Sequence, residues 1–213
     1  MKIESVERHK GGLMAVTLEN GDTLYIHTEL AAANGLCPGV DCPPDVLERL
    51  SRQTEFRRAR ERALYLLEYR DHSYMELYRK LEKTYGEEIA RKITDKMAKL
   101  GFVDDEKYGR RLAASLIEGK HYGLRRARYE MSLKGLDRSL IDEVLADYED
   151  EDDQLARIVE LIERKYARSL GDPKGMQRVI GALARMGHSY SDIRAAIGQF
   201  TDEADSIMDD IEE

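Results

Sequence analysis

The chain has 213 residues, 42% hydrophobic and 36% charged with three Phe and no Trp, a composition that suits amphipathic helices better than one thick globular core. Its formal charge of −8 is uneven: six acids fall in 147–153 and seven in 202–213, and setting these 13 aside leaves 29 of the 42 acids against 34 Lys and Arg, a body of +5. No apolar run approaches the ~20 residues of a membrane helix, and residues 1–7 lack the basic start and apolar stretch of a signal peptide, so a soluble cytoplasmic protein with no membrane contact is expected.

Residues 2–8, 13–19 and 23–28 are β-branched or alternating stretches, and Asn20-Gly21 between the last two signals a tight hairpin. They predict a small three-strand antiparallel meander, too small to be stable unless it packs on something. Residues 31–43, with Pro38, Gly39 and Pro43, read as a linker or short turn. Cys37 and Cys42 in this stretch have no second Cys/His pair nearby to complete a zinc site, and a disulfide is not expected in a reducing cytoplasm.

From Asp45 the helical period takes over. A short helix over 44–52 is followed by nine more, in three sets of three: 54–70, 73–84 and 87–99; 104–119, 123–134 and 138–147; 152–169, 173–186 and 190–199. Ser73 and Glu76 form a capping box, with the serine oxygen and the glutamate carboxylate satisfying orphan amides at a helix start. Gly101, Gly135 and Gly187 each close a helix in a left-handed cap, and Asp104-Asp105-Glu106 opens one where the helix dipole favours acids.

The three sets repeat. Gly123, Ala127, Met131, Gly135, Ile141 and Leu145 recur as Gly175, Val179, Leu183, Gly187, Ile193 and Ile197, each displaced by 52 residues. Ser73, Leu77, Leu81, Gly86, Ile89 and Ile93 form a looser first copy. Repetition at this period means stacked helical units that bury a face on their neighbours and offer long surfaces to extended partners. The expected fold is mainly all-α: three tandem three-helix repeats in an elongated array, preceded by the small N-terminal antiparallel β-meander. The expected boundaries are 1–43 for meander and linker, 44–102, 103–150 and 151–200 for the repeats, and 201–213 for an acidic tail.

Four stretches of this chain resemble the RecX family of bacterial recombinase regulators. They are residues 63–82 (ALYLLEYRDHSYMELYRKLE), residues 100–113 (LGFVDDEKYGRRLA), the basic helix after Gly123 with Gly135 behind it, and residues 183–193 (LARMGHSYSDI). The last carries His188 where the family has an aromatic residue, and neither the meander nor the acidic tail belongs to the core triple unit. The resemblance covers about 57–200. It implies a protein that binds the filament formed by RecA on single-stranded DNA, lies along its groove, and inhibits the RecA ATPase, strand-exchange and coprotease activities. A monomer with no enzyme activity of its own, no cofactor and weak direct DNA contact is expected.

The residues themselves offer two cationic stretches for such contact: Arg57, Arg58, Arg60 and Arg62 in one helix, and Arg125, Arg126, Arg128, Lys134 and Arg138 in the second repeat. Guanidinium groups bind phosphates and carboxylates in bidentate fashion. The site set carried forward is Arg125, Arg126, Arg128, Lys134, Arg138, Arg57, Arg58 and Arg62; the competing reading is a solvated face balanced by Glu118, Glu130 and Asp137. Tyr69, Tyr74, Tyr78, Tyr108, Tyr122, Tyr129 and Tyr148 could stack bases, but tyrosines at helical spacing are expected in the core with the hydroxyl at its edge. His72-Ser73 and His188-Ser189 read as helix caps, not as nucleophile and base. Gly171-Asp172-Pro173-Lys174-Gly175 lacks the strand and Gly-Lys-Ser/Thr ending of a phosphate loop. The +5 body leaves one alternative function: a helical-repeat module that binds nucleic acid independently of RecA.

Overall fold

The computed structural model describes residues 1–201; the acidic tail expected beyond Thr201 lies outside the described residues. Among the described residues the chain is mainly helical, with a three-stranded antiparallel sheet followed by ten α-helices. It forms two compact units, Met1–His72 with Leu77–Val103, and Ser73–Glu76 with the chain from Asp104 onward.

In the first unit, β1 (Ile3–His9), β2 (Leu13–Leu18) and β3 (Thr23–His27) run in sequence order. The hairpin at Asn20-Gly21 forms because Gly21 adopts φ +88° and the Asn20 amide group holds Asp22 through both its oxygen and its nitrogen. One sheet face is covered: Ile3, Val16, Leu18 and Ile26 share a core with Leu36, Cys42, Leu47 and Leu50. The meander is stable here because the start of a long helix supplies the apolar surface it lacks.

Two departures from the sequence-based elements lie in this unit. Residues 28–33, expected as strand end and linker, form α1 (Thr28–Ala33), capped by the His27 ring nitrogen accepting the Glu29 N–H. The two helices expected over 44–70 are one, α2 (Pro44–Tyr69), opening with Pro at its first position. The polar run at 51–55 does not interrupt the helix. Instead, the buried face changes phase there: Leu47 and Leu50 face the sheet core, while Ala59, Ala63 and Leu66 are buried further along the helix. Thr54 sits buried at the change, donating to the Leu50 carbonyl and accepting the His27 N–H. Helix α3 (Tyr74–Tyr85) and α4 (Glu87–Lys99) meet at Gly86, φ +78°, and α4 packs against α2.

The second unit contains α5 (Asp105–Ala114), which widens into a π-helical turn at Ser115–Gly119, then α6 (Leu124–Leu133), α7 (Arg138–Ala146), α8 (Glu151–Lys165), α9 (Pro173–Arg185) and α10 (Tyr190–Gly198). The apolar positions of the 52-residue correspondence are all core: Ala127, Met131, Ile141 and Leu145 in one cluster, Val179, Leu183, Ile193 and Ile197 in the other. Part of the acid-rich stretch 147–153 is helical. Asp150 caps α8 by accepting the Asp153 N–H, and residues 151–153 form its first turn, where the helix dipole stabilises them.

Candidate partner-binding interface

Within the second unit, two joints set where the exposed side chains stand. At one, Gly123 donates its N–H to the Met186 carbonyl at 2.9 Å, and a Cβ on Gly123 would lie 2.3 Å from the Gly187 oxygen. Only glycine lets the backbones approach this closely. Arg126 Nη1 donates to the Arg185 carbonyl at 2.8 Å, and its guanidinium lies 4.4 Å from the Tyr122 ring centroid. His188 Nε2 meets the His121 carbonyl at 3.0 Å; burial holds the His188 pKa below its ordinary value of 6.5.

At the other, the turn Ser73–Glu76 is held by the corresponding carbonyl one repeat earlier. Ser73 Oγ donates to the Lys134 oxygen and accepts the Glu76 N–H. The Glu76 carboxylate accepts from Lys134 Nζ at 2.9 Å and from the Tyr108 hydroxyl at 3.4 Å. Asp104 caps α5, while Asp105 reaches away to accept the Tyr74 N–H at 2.7 Å. Burial pushes the Asp105 carboxyl above its ordinary 3.8, only partly opposed by that hydrogen bond. The Asp-Asp pair therefore starts two helices. The sequence signal was the pair itself, but nothing local shows that its second member serves a helix 31 residues away.

The second-repeat cations are not equivalent. Arg128 pairs with Asp142 at 3.0 Å and Glu149 at 3.9 Å; Arg126 and Lys134 are engaged at the joints. Arg138 is 94% exposed and only loosely paired with Asp142 at 3.8 Å. Arg125 is exposed and has no partner among the described residues. It shares one stripe of α6 with Tyr129, 61% exposed, and Leu133, 53% exposed, at successive steps of four residues.

In α2, Arg57 is held by Glu29 at 2.7 Å and Glu61 at 3.2 Å, and this pairing keeps the Glu29 carboxyl below the usual carboxylate range. Arg58 is exposed with no partner among the described residues, and Arg62 lies 5.3 Å from the Tyr65 ring centroid. Residues 58, 62, 65 and 69 form an Arg-Arg-Tyr-Tyr stripe along one helix face, with Tyr69 84% exposed.

The tyrosine expectation thus divides. Tyr74, Tyr78, Tyr108, Tyr122 and Tyr148 are half-buried, whereas Tyr69 and Tyr129 stand in solvent, as does Tyr65, which the sequence reading passed over. The helical spacing of Tyr65 and Tyr69 from Arg58 and Arg62 was the available signal. Among the described residues, no group of three or more His, Cys, Asp and Glu is arranged to hold a metal, and no helix is long and apolar enough to cross a membrane.

Fold and surface together define a tandem three-helix-repeat protein that displays cationic and aromatic side chains on exposed helix faces. Its repeats match, in order, the first, second and third three-helix domains of RecX, over residues 59–97, 104–145 and 151–197. The regulatory protein RecX of Trichlorobacter lovleyi is 32% identical over 136 residues, 62% of this chain and 88% of its own length. That of Chlorobium phaeobacteroides is 30% identical over 148 residues, 68% and 95% of the two chains. The chain belongs to the RecX family. The match to RecX of Streptococcus uberis, 23% identical, extends over 206 residues and 96% of this chain. Two solved RecX structures share the fold at 21% identity: one has a TM-score of 0.64 and covers 93% of this chain and 98% of its own. The other, from Lactobacillus salivarius, has a TM-score of 0.60 with 68% and 96% covered.

Proposed function

We propose that this protein binds the RecA filament on single-stranded DNA and lowers its ATPase, strand-exchange and coprotease activities, acting as a cytoplasmic monomer in the regulation of DNA repair and the SOS response. The observation that carries this reading is the ordered match of all three repeats to RecX domains. Arg125 on α6 and Arg58 on α2 lead the proposed contact set, because neither has to break an ion pair before meeting a phosphate or carboxylate. Arg138 and Arg62 follow. Arg126, Arg128, Lys134 and Arg57 contribute at the cost of the intramolecular bonds they already make.

The test adds the full chain to RecA, single-stranded DNA and ATP. A stoichiometric, salt-sensitive fall in ATP turnover is expected, since cationic faces release counterions on contact. Unchanged turnover at saturating chain overturns the reading. The exposed Tyr65 and Tyr69 beside Arg58 and Arg62 favour a second reading, a module that binds single strands directly through stacking and phosphate contacts. Tight binding of a single-stranded oligonucleotide at physiological salt, without RecA, would select it.

A further inference from the structure

Between α2 and α4 in the first unit lies a cleft of about 640 Å³. Its apolar wall is Phe56, Leu64 and Ile93, and its rim carries Arg57, Arg60, Lys92 and Lys96 against a single acid, Glu61. At about 100° per residue, positions 56, 60 and 64 lie more than a right angle around α2 from the stripe at 58, 62, 65 and 69. The cleft and the cationic-aromatic stripe are therefore separate surfaces of one helix. Two of the four rim cations are already engaged: Arg57 by Glu29 and Glu61, and Lys92 by Glu88 at 2.8 Å and by the Phe56 ring, 5.5 Å from its centroid. Arg60 and Lys96 are exposed, one on each helix, and have no partner among the described residues.

We propose that this cleft docks a short acidic segment of another protein, one that carries aliphatic side chains and lies in the groove as a helix. Charge complementarity selects it. A nucleic-acid strand would neutralise the rim but leave Phe56, Leu64 and Ile93 without apolar contact. A purely apolar segment would strip water from Arg60 and Lys96 and put no carboxylate in its place, which is unfavourable. Phe56 and Leu64 are eight residues apart on α2, about 12 Å along its axis, or roughly two turns of an occupying helix. The matching segment has an aliphatic stripe at i, i+3, i+4 and i+7 with carboxylates on both flanks, one row meeting Arg60 and the other Lys96. One chain can then hold a phosphate-bearing partner on the stripe and an acidic protein segment in the cleft.

The probe is a fluorescent synthetic peptide of this pattern, EDLEEILEELDE, titrated into the full chain and followed by anisotropy. Saturable binding is expected, and its absence up to about 1 mM peptide overturns the proposal. Two control peptides use the same native chain: QNLQQILQQLNQ, without the charges, and EDSEESSEESDE, without the aliphatic residues. Each should bind at least about tenfold more weakly. Arg60→Gln with Lys96→Gln should weaken the parent peptide about tenfold, as expected for two exposed ion pairs, and Arg60→Glu with Lys96→Glu should abolish its binding. Equal affinity for the serine-containing control would mean adhesion to a basic surface and overturns the proposal. Binding that is indifferent to both Arg60/Lys96 pairs overturns it as well. Displacement of the peptide by oligothymidylate would make the cleft a nucleic-acid site, which also overturns it. No arm contains RecA, so failure here leaves the filament reading untouched.

Discussion

Gly123 and Ser73 hold equivalent places in successive repeats and address equivalent carbonyls, Met186 and Lys134, yet they do so by different chemistry. At Gly123 the backbone N–H itself donates, which requires the two backbone segments to touch and leaves no volume for a Cβ. At Ser73 a hydroxyl supplies the bond, and Glu76, Lys134, Tyr108 and Asp105 add side-chain contacts around it. One joint rests on steric closeness and the other on a polar network. The repeat therefore preserves an acceptor and a position, not a residue type.

The largest expected effect tests the steric joint. Gly123→Ala places a methyl 2.3 Å from the Gly187 oxygen and 2.4 Å from its carbonyl carbon, backbone atoms that cannot swing away. A loss of roughly 3 kcal/mol or more in chemical denaturation is expected, as for other changes that force overpacking. Ser73→Ala removes a helix cap and a buried hydrogen bond but introduces no clash, so about 1–2 kcal/mol is expected. If Ser73→Ala proves the more costly of the two in the same denaturant series, the contrast between joints is wrong. Glu76→Gln keeps the shape of the network and removes the charge opposite Lys134, for a loss of about 1 kcal/mol given the low exposure of Glu76.

The smallest effects come from pH, and their signs differ between the joints. The folded-state pKa of His188 lies below its ordinary 6.5 because burial disfavours the imidazolium. Its contribution to stability is therefore present above pH 6.5 and is lost as the pH falls through and below that value. The thermal midpoint of His188→Gln should decline less between pH 7.5 and 5 than that of the native chain; parallel profiles would remove histidine from the account. Asp105 has the opposite sign. Its folded-state pKa lies above the ordinary 3.8, so its stabilising contribution belongs to the protonated form at low pH and disappears as the pH rises through the raised value. Asp105→Asn retains the oxygen that accepts the Tyr74 N–H and should not reduce stability at neutral pH. A marked loss there would mean that the charge, and not the acceptor, holds the turn.

Much of the fold was legible because its signals are local. The 52-residue recurrence picked out residues that prove buried, and Gly86, Gly135 and Gly187 all take positive φ, the conformation that glycine adopts without strain. The misreadings were also local in origin. The six-residue α1 is too short to show a period, and the polar patch at 51–55 hides the continuity of α2, because that helix turns its apolar side from the sheet core to a second buried face. The candidate interface was legible as a list of cations and no further. Arg125 and Arg128 are three residues apart with the same composition around them, yet one is unpaired and the other bridges Asp142 and Glu149.

By itself the sequence determined the class of fold, the order of the three repeats, the glycine caps and the hairpin turn, since each depends on periodicity or on backbone conformations set within a few residues. The tertiary structure alone decided which arginines are paired and which tyrosines are exposed. Ion pairs and exposure are settled by side chains brought together from distant positions, as Lys134 meets Glu76 across 58 residues and Arg126 meets the Arg185 carbonyl across 59.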